Sequence, residues 1–173
     1  AHYHKPDSLR RHLEPLVANG VLPTALLERI DAAAGFHQAF EALHASTPYA
    51  SLLRAAEGWL PDDPRTERTL THPLRLPDDG ELDLIFVDGC KSWYATKAFL
   101  RLLAPRIRRG AHLIFQDYGW YTCFWIPAFV HALRDCLRLV AYVDATYAFE
   151  LVSPLDASRI ERCLPDSVAG LGW

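Results

Sequence analysis

Two aspartates stand just after short apolar runs in the second half of the chain. Asp88 directly follows residues 82–87 (LDLIFV), and Asp117 follows residues 111–115 (AHLIF) after one intervening glutamine. Such a run, closed by a polar residue, is typical of a buried parallel strand, and open α/β sheets bind ligands at the carboxyl ends of their strands. The two carboxylates are therefore candidate ligands for a hard cation such as Mg²⁺. A cation bound there would lower the pKa of a substrate hydroxyl.

A structural role is the alternative for both aspartates. Aspartate is favoured as the cap of a helix and in turns. Asp88 comes before a predicted helix, and Asp117 comes before the turn signal of residues 118–120 (YGW). The pattern leaves the ligand interpretation and the capping interpretation open for each residue.

Aromatic and histidine residues give weaker signals for a site. Trp120, Tyr121 and Trp125 follow Asp117 and are candidates for the wall of a substrate pocket. Aromatic side chains more often belong to a core, so packing is the favoured interpretation. His2 and His4 have the spacing of a metal-binding pair, but their position next to Ala1 favours an unstructured segment over a site.

The elements that must position these residues alternate between strand and helix. The hydrophobic periodicity predicts two helices, residues 92–103 and 122–137. It predicts four strands, residues 82–87, 111–115, 137–143 and 147–152. Alternating strands and helices imply a parallel sheet with right-handed crossovers. The short link between the last two strands predicts an antiparallel hairpin.

The first half of the chain has the periodicity of helices. Start and stop signals bound three predicted helices, residues 7–19, 23–30 and 36–47. A short strand is predicted over residues 52–56, and the proline-rich residues 61–80 are predicted to be a loop. No repeat or second domain is apparent, so the sequence predicts a single domain over residues 1–173.

Composition excludes some classes of function. The net charge of −3 provides no basic surface for nucleic acid. No apolar run approaches the roughly 18 residues of a membrane span, so we expect no membrane insertion. The four cysteines form no C-x-x-C pair. This arrangement predicts reduced thiols and a cytoplasmic location.

Three stretches of the second half resemble the class I S-adenosylmethionine-dependent methyltransferase family. Residues 83–89 (DLIFVDG) resemble its fourth strand, which ends in an acid. Residues 105–115 (PRIRRGAHLIF) resemble the P-x-L-x-x-G-G-x-L stretch that leads into its fifth strand, and residues 116–118 (QDY) resemble the D-D-Y or D-N that ends it. The likeness covers residues 36–152 and is most specific over 82–118. It implies a partial Rossmann-like α/β sheet of parallel strands with a C-terminal antiparallel hairpin, preceded by a helical N-terminal region.

The resemblance also implies a chemistry, the O-methylation of a small molecule. Residues 88–91 (DGCK) are similar to the D-x-x-K of some metal-dependent O-methyltransferases. By that likeness Asp88 and Lys91 are the expected catalytic residues, with Lys91 as general base, and Asp88 and Asp117 are the expected Mg²⁺ ligands. Tyr118 stands where those enzymes often have an amide or a second acid. A solvated position at the start of the helix is the alternative for Lys91.

The family's cofactor site is present only in part. The resemblance implies that Trp59 and Asp88 contact S-adenosylmethionine. The family's glycine-rich turn has no counterpart, because no G-x-G or G-x-x-x-G occurs before residue 110. We therefore expect that a longer parent protein supplies the missing strands, and that the chain taken alone binds the cofactor weakly.

Two other hypotheses remain open. One is a catalytically inactive methyltransferase-like module that retains its sheet for interaction, and the other is a different nucleotide-binding α/β protein. The missing strands would leave residues 82–87 as an open apolar edge. An open edge predicts self-association or pairing with a partner.

Overall fold

A computed structural model of the chain describes residues 6–77, 80–90 and 92–171. The chain divides into two compact units, with the boundary between Glu57 and Gly58. The single domain expected from the sequence stays a prediction.

The first unit is helical, as predicted. Its helices are α1 (Pro6–Ala18), α2 (Ala25–Asp31) and α3 (Phe36–His44), followed by a 3₁₀ turn at Ala50–Leu52. A small core joins the three helices and consists of Leu13, Leu26, Ile30 and Ala39.

The strand predicted over residues 52–56 is wrong. Leu52 ends the 3₁₀ turn, and the residues after it have no regular structure. Leu52 and Leu53 are both exposed. A short apolar segment becomes a strand only when a neighbouring strand pairs with its backbone, and none of the described segments does so here.

The second unit is an α/β structure, which confirms the predicted class. Its helices are α4 (Pro64–Thr69), α5 (Trp93–Leu103), α6 (Trp125–Ala132) and α7 (Ala157–Cys163). Its strands are β1 (Leu82–Val87), β2 (Ile107–Phe115), β3 (Leu137–Val143) and β4 (Thr146–Leu151).

The four described strands form one mixed sheet in the order β1-β2-β4-β3. Strand β1 pairs with β2 in parallel, and β4 lies antiparallel between β2 and β3. The predicted hairpin is therefore confirmed, and its second strand returns to the interior of the sheet. Strand β1 lies at one edge of the described sheet and β3 at the other.

One face of the sheet forms the core of the second unit. On β1 the side chains of Ile85 and Val87 are buried, and on β2 those of Leu113 and Phe115 are buried. They belong to one cluster with residues of α5, α6 and α7. On the opposite face of β1, Leu84 and Phe86 are both exposed, so β1 is apolar on both faces but buried on only one.

Several predicted elements differ from the structure in their boundaries. Strand β2 begins at Ile107, four residues before the predicted start, because Ile107 pairs with Leu82 of β1. The Arg108 side chain also forms ion pairs with the carboxylates of Glu81 and Asp83, at the start of β1. The loop over 61–80 contains α4, whose first turn is closed by a reciprocal capping box between Asp63 and Thr66.

The helix predicted over residues 122–137 is also interrupted. A 3₁₀ turn at Tyr121–Cys123 precedes α6, and α6 ends at Ala132. The amide of Cys136 then bonds the carbonyl of Leu133 at 2.8 Å, which turns the chain into β3. The apolar periodicity continues through this turn because Leu133 and Cys136 are still buried in the core, so the pattern did not mark the end of the helix.

Candidate functional site

The residues after β1 and β2 lie at the same edge of the sheet. Val87 and Phe115 end the two parallel strands as register partners. The amide of Gln116 donates a hydrogen bond to the carbonyl of Val87 at 3.1 Å. Asp88 and Asp117 therefore follow neighbouring strand ends, where the apolar runs led us to expect them.

Asp117 occupies an unusual backbone conformation. Its φ of 60° lies in the left-handed region, which few residues other than glycine adopt and which Asp and Asn tolerate best. Its carbonyl accepts a bond from the amide of Trp120 at 3.0 Å, and the next amide, that of Tyr118, bonds the carbonyl of Ala145 at 2.8 Å. The turn after β2 is thus tied to the β3–β4 turn, and this tie fixes the direction in which the chain leaves the sheet.

The turn after β1 is positioned by a serine. The hydroxyl of Ser92 accepts a bond from the amide of Ala95 at 3.1 Å and caps α5. The same hydroxyl lies 3.1 Å from an oxygen of Asp62, to which it donates. Because Ser92 is the N-cap, the alternative in which Asp88 caps α5 is wrong. Lys91, the predicted general base, lies outside the described residues.

The Mg²⁺ site expected at Asp88 and Asp117 stays a prediction. Mg²⁺ usually keeps several waters and is held by one or two carboxylates. Within residues 6–77, 80–90 and 92–171, no three or more His, Cys, Asp or Glu side chains are grouped as a metal site. Any cation at this edge would therefore depend on water and substrate oxygens for the rest of its coordination.

Aromatic side chains surround the exit of β2. Trp125 is buried, as the packing interpretation expected, whereas Trp120 and Tyr121 are 54% and 81% exposed. The packing interpretation is thus wrong for these two residues. Phe124, which the sequence analysis did not single out, is 63% exposed. The sequence signal for these exposed aromatic residues was the run of aromatic residues between the end of β2 and α6, which contains few aliphatic residues.

A stack of three tyrosines supports the same segment. The rings of Tyr118 and Tyr147 lie 4.1 Å apart between centroids, at an interplanar angle of 22°. The ring of Tyr142 stacks on Tyr147 at 5.3 Å. The stack links the end of β2 to β4 and β3. Burial, with a smaller contribution from Tyr147, raises the pKa of the Tyr118 hydroxyl, so Tyr118 is neutral at physiological pH.

Trp59 lies in a different part of the second unit. Its amide bonds the carbonyl of His72 and its carbonyl accepts from the amide of Leu74, both at 2.9 Å. Its side chain is exposed and lines a groove of about 310 Å³ together with residues of the 60–74 segment and α5. None of the residues that line this groove belongs to the turns after β1 and β2. The groove therefore does not bring Trp59 together with Asp88, its expected partner in binding the cofactor.

A buried lysine with two exposed carboxylate partners joins α5 to α7 and to the segment after α7. The Lys97 side chain is 3% exposed, and its Nζ lies 2.8 Å from carboxylate oxygens of both Glu161 and Asp166. Burial alone would lower the pKa of Lys97, but the hydrogen bonds to the two carboxylates outweigh it and raise the pKa above its ordinary value. The indole N–H of Trp93 donates to the carbonyl of Pro165 at 2.7 Å and holds the same C-terminal segment. These contacts fix α5, and with it the turn that carries Asp88.

Comparison with known proteins assigns no family to the chain. No protein-family model matches it, and no curated protein shows significant similarity to it. Among the described residues, no helix combines the length and the apolar character needed to cross a membrane.

Proposed function

We propose that residues 82–152 form the C-terminal half of a class I methyltransferase sheet, and that the protein transfers a methyl group from S-adenosylmethionine to a hydroxyl of a small molecule. The observation that carries the proposal is the pair of parallel strands that are followed by Asp88 and Asp117. The return of β4 between β2 and β3 supports it, since the resemblance implies a C-terminal antiparallel hairpin on a parallel sheet.

Asp88 and Asp117 would hold a divalent cation at the edge of the sheet. When bound, such a cation polarises a substrate hydroxyl and lowers its pKa. Lys91, three residues after Asp88 in the sequence, would accept the proton by its likeness to the D-x-x-K lysine. The tyrosine stack behind Tyr118 would keep the turn at Asp117 in place during the reaction.

The residues of this chain do not by themselves fit S-adenosylmethionine. A close-approach turn needs a glycine that a ligand can reach. A Cβ atom added at Gly58 would lie 2.3 Å from the Cα of Leu74. Gly58 therefore allows two segments of the chain to pack closely against each other. Trp59 lines a groove that none of the described residues after β1 and β2 line, so only Asp88 of the two expected cofactor contacts lies at the strand-end edge. We expect isothermal titration of the chain to show no tight binding of the cofactor.

Binding of Mn²⁺, a paramagnetic substitute for Mg²⁺, tests the site directly. We expect Asp88→Asn and Asp117→Asn each to weaken Mn²⁺ binding by tenfold or more, since each removes a charged oxygen ligand. Asp135→Asn is the matched control, because Asp135 is exposed and lies before β3. Electron paramagnetic resonance measures free Mn²⁺ for all four proteins. Equal binding by the wild type and both site variants would remove the metal from the proposal.

Methyl transfer by the protein is then measured. Asp88→Asn should lower the rate of transfer to hydroxylated acceptors and leave the fold, followed by circular dichroism, unchanged. An unchanged rate would indicate that Asp88 has only a structural role in the turn after β1.

The second candidate function is a catalytically inactive interaction module. The open edge strand β1, with Leu84 and Phe86 exposed on one face, favours it. The absence of a glycine-rich turn before residue 110 favours it as well. Failure of both the Mn²⁺ test and the transfer test would leave this candidate in place.

A further inference from the structure

The groove beside Trp59, which we call the Trp59 groove, has the size of a small-molecule site. Its volume is about 310 Å³, at the lower end of the range in which proteins hold small ligands. The described residues that line it are apolar apart from Glu67 and Arg101, and Ala98 and Leu102 belong to α5. The groove therefore suits a compact, mostly apolar molecule of one or two rings.

Trp59 contributes an indole ring to this groove from a fixed backbone. The residue is 69% exposed, while its amide and its carbonyl both bond the 72–74 segment at 2.9 Å. Those bonds need the close approach that Gly58 permits, since a Cβ there would lie 2.3 Å from the Cα of Leu74. A backbone fixed in this way has little conformational entropy left to lose when a ligand binds. An exposed indole favours a flat aromatic ligand, which can stack on its face.

The two charged side chains of the Trp59 groove neutralise each other. Arg101 forms an ion pair with Glu67, whose second carboxylate oxygen accepts a bond from the Tyr94 hydroxyl at 2.5 Å. Arg101 also bonds Glu161 at 3.2 Å. An ion in the groove would have to break the pair of Glu67 and Arg101 or lie beside a like charge, which is unfavourable. An uncharged ligand leaves the pair intact, so charge complementarity favours a neutral occupant.

The same ion pair offers a ligand both a donor and an acceptor. A guanidinium has five N–H donors and a carboxylate has about four acceptor sites, and the side chains of Arg101 and Glu67 are 30% and 38% exposed. Among neutral groups, an amide matches this pair, because its carbonyl accepts a hydrogen bond and its N–H donates one.

We propose that the Trp59 groove binds a small, uncharged aromatic molecule that carries an amide group. The aromatic ring would stack on Trp59, the amide carbonyl would accept a bond from Arg101, and the amide N–H would donate to Glu67. This site is separate from the site of the proposed function, because none of the described residues that line the groove belongs to the turns after β1 and β2. Failure of either proposal therefore leaves the other in place.

Four probes of one skeleton test the ligand class. The compounds 2-naphthamide, methyl 2-naphthoate, 2-naphthoate and 2-naphthylmethylamine share a two-ring system and differ in an amide, a neutral ester without N–H, a carboxylate and an ammonium. We expect 2-naphthamide to bind about fivefold more tightly than either ion, which is the size of one exposed ion-pair contact. We expect it to bind about threefold more tightly than the ester, because the ester cannot donate to Glu67. Titration calorimetry and ligand-observed NMR on the full chain measure binding without metal, cofactor or turnover.

Variants locate the binding and test its charge preference. Trp59→Ala should weaken the binding of 2-naphthamide by about tenfold, since it removes the stacking face. Trp120→Ala is the matched control, because Trp120 is an exposed tryptophan that is not among the described residues lining the groove. Glu67→Gln removes one charge at nearly constant size and leaves Arg101 in excess in the groove, so 2-naphthoate should then bind at least as tightly as 2-naphthamide. In the wild type, 2-naphthamide should shift the NMR signal of the Trp59 indole N–H, which Trp59→Phe assigns.

Several results would overturn the proposal. They are no binding of any probe, tighter binding of either ion, an ester that binds as tightly as the amide, or an equal loss in Trp59→Ala and Trp120→Ala. A Glu67→Gln variant that keeps the preference for 2-naphthamide over 2-naphthoate would do the same. A second copy of the chain is the competing occupant, and a dimer that dissociates in Trp59→Ala but not in Trp120→Ala, measured by sedimentation velocity, would replace the small molecule with a protein interface.

Discussion

At the scale of single residues, Lys97 illustrates how a charge is stabilised inside this fold. Its side chain is 3% exposed, whereas its partners Glu161 and Asp166 are 48% and 61% exposed. Water therefore still solvates the two carboxylates, and the cluster avoids most of the desolvation penalty of a fully buried ion pair. Arg101 also bonds Glu161, at 3.2 Å, and joins α5 to α7 at a second point.

The Glu161 carboxylate makes stability depend on pH. The hydrogen bond from Lys97 lowers the pKa of Glu161, and the smaller opposing effect of burial does not cancel it. A carboxylate with a lowered pKa stabilises the folded state above the unfolded pKa, near 4.3, and this stability is lost as pH falls through the folded pKa. Glu161→Gln should therefore cost about 0.5–1 kcal/mol at neutral pH and progressively less below about pH 4.

Urea unfolding at several pH values measures this difference. Glu81→Gln is the matched control, because Glu81 is an exposed partner of the exposed Arg108, and it should change stability by less than about 0.5 kcal/mol. A Glu161→Gln effect of equal size at neutral and at acid pH would show that the loss comes from packing rather than from the charge.

At the scale of elements, the segment that carries Trp59 depends on a glycine. A Cβ at residue 58 would lie 2.3 Å from the Cα of Leu74 and 2.6 Å from its amide nitrogen. Both contacts are with backbone, so no side chain can move aside to relieve them. The two bonds between Trp59 and the 72–74 segment require this approach.

Gly58→Ala should separate Trp59 from the 72–74 segment and destabilise the second unit by about 1–3 kcal/mol, the usual cost of forcing extra volume into a close contact. Gly89→Ala is the control, since a Cβ there meets nothing within 4 Å. Urea unfolding of both variants compares the free energies, and tryptophan fluorescence reports on the Trp59 environment. Equal stability of the two variants would contradict the close approach.

Among the helices and strands, some boundaries were predictable from the sequence and others were not. Helix α5 was placed to within one residue because its apolar face is a local signal. Strand β2 was predicted too short because Arg108 and Arg109 interrupt its apolar pattern. Pairing with β1 and the carboxylates beside Arg108 keep those residues in the strand, and neither is visible in the local sequence.

At the scale of the whole molecule, the open edge of the sheet is the main liability. Strand β1 has β2 on one side, and no strand within the described parts of the chain pairs with its other side. Its exposed Leu84 and Phe86 add apolar surface next to the unpaired backbone groups. An apolar edge of this kind is a template for pairing with another chain.

We expect the isolated chain to self-associate through β1, with an average mass that rises with concentration. Phe86→Lys should shift the chain towards monomer, because a charge on an edge strand opposes pairing. Val21→Lys, at an exposed position in the first unit, is the control. Size-exclusion chromatography with light scattering measures all three. A wild-type monomer at every concentration would contradict the expectation.

Some features of the candidate site follow from local sequence, and others depend on the tertiary structure. The sequence alone predicted that Asp88 and Asp117 come just after strands, because each apolar run ends at its first polar residue, which is Asp88 in one run and Gln116 in the other. It did not predict that β1 is buried on only one face. The resemblance to methyltransferases came from the same local runs, and the methyltransferase function stays a proposal.

Other features were decided only by the tertiary structure. Trp120 and Tyr121 are exposed although their residue types favour a core, because Cys123 and Trp125 occupy the buried positions of that segment. Lys97 is buried although its type favours the surface, because Glu161 and Asp166, more than 60 residues away in the chain, supply its counter-charges. Hydrophobic periodicity records which face of an element is apolar. Exposure, ion pairing and strand order depend on which distant segments meet that face, and only the folded chain brings those segments together.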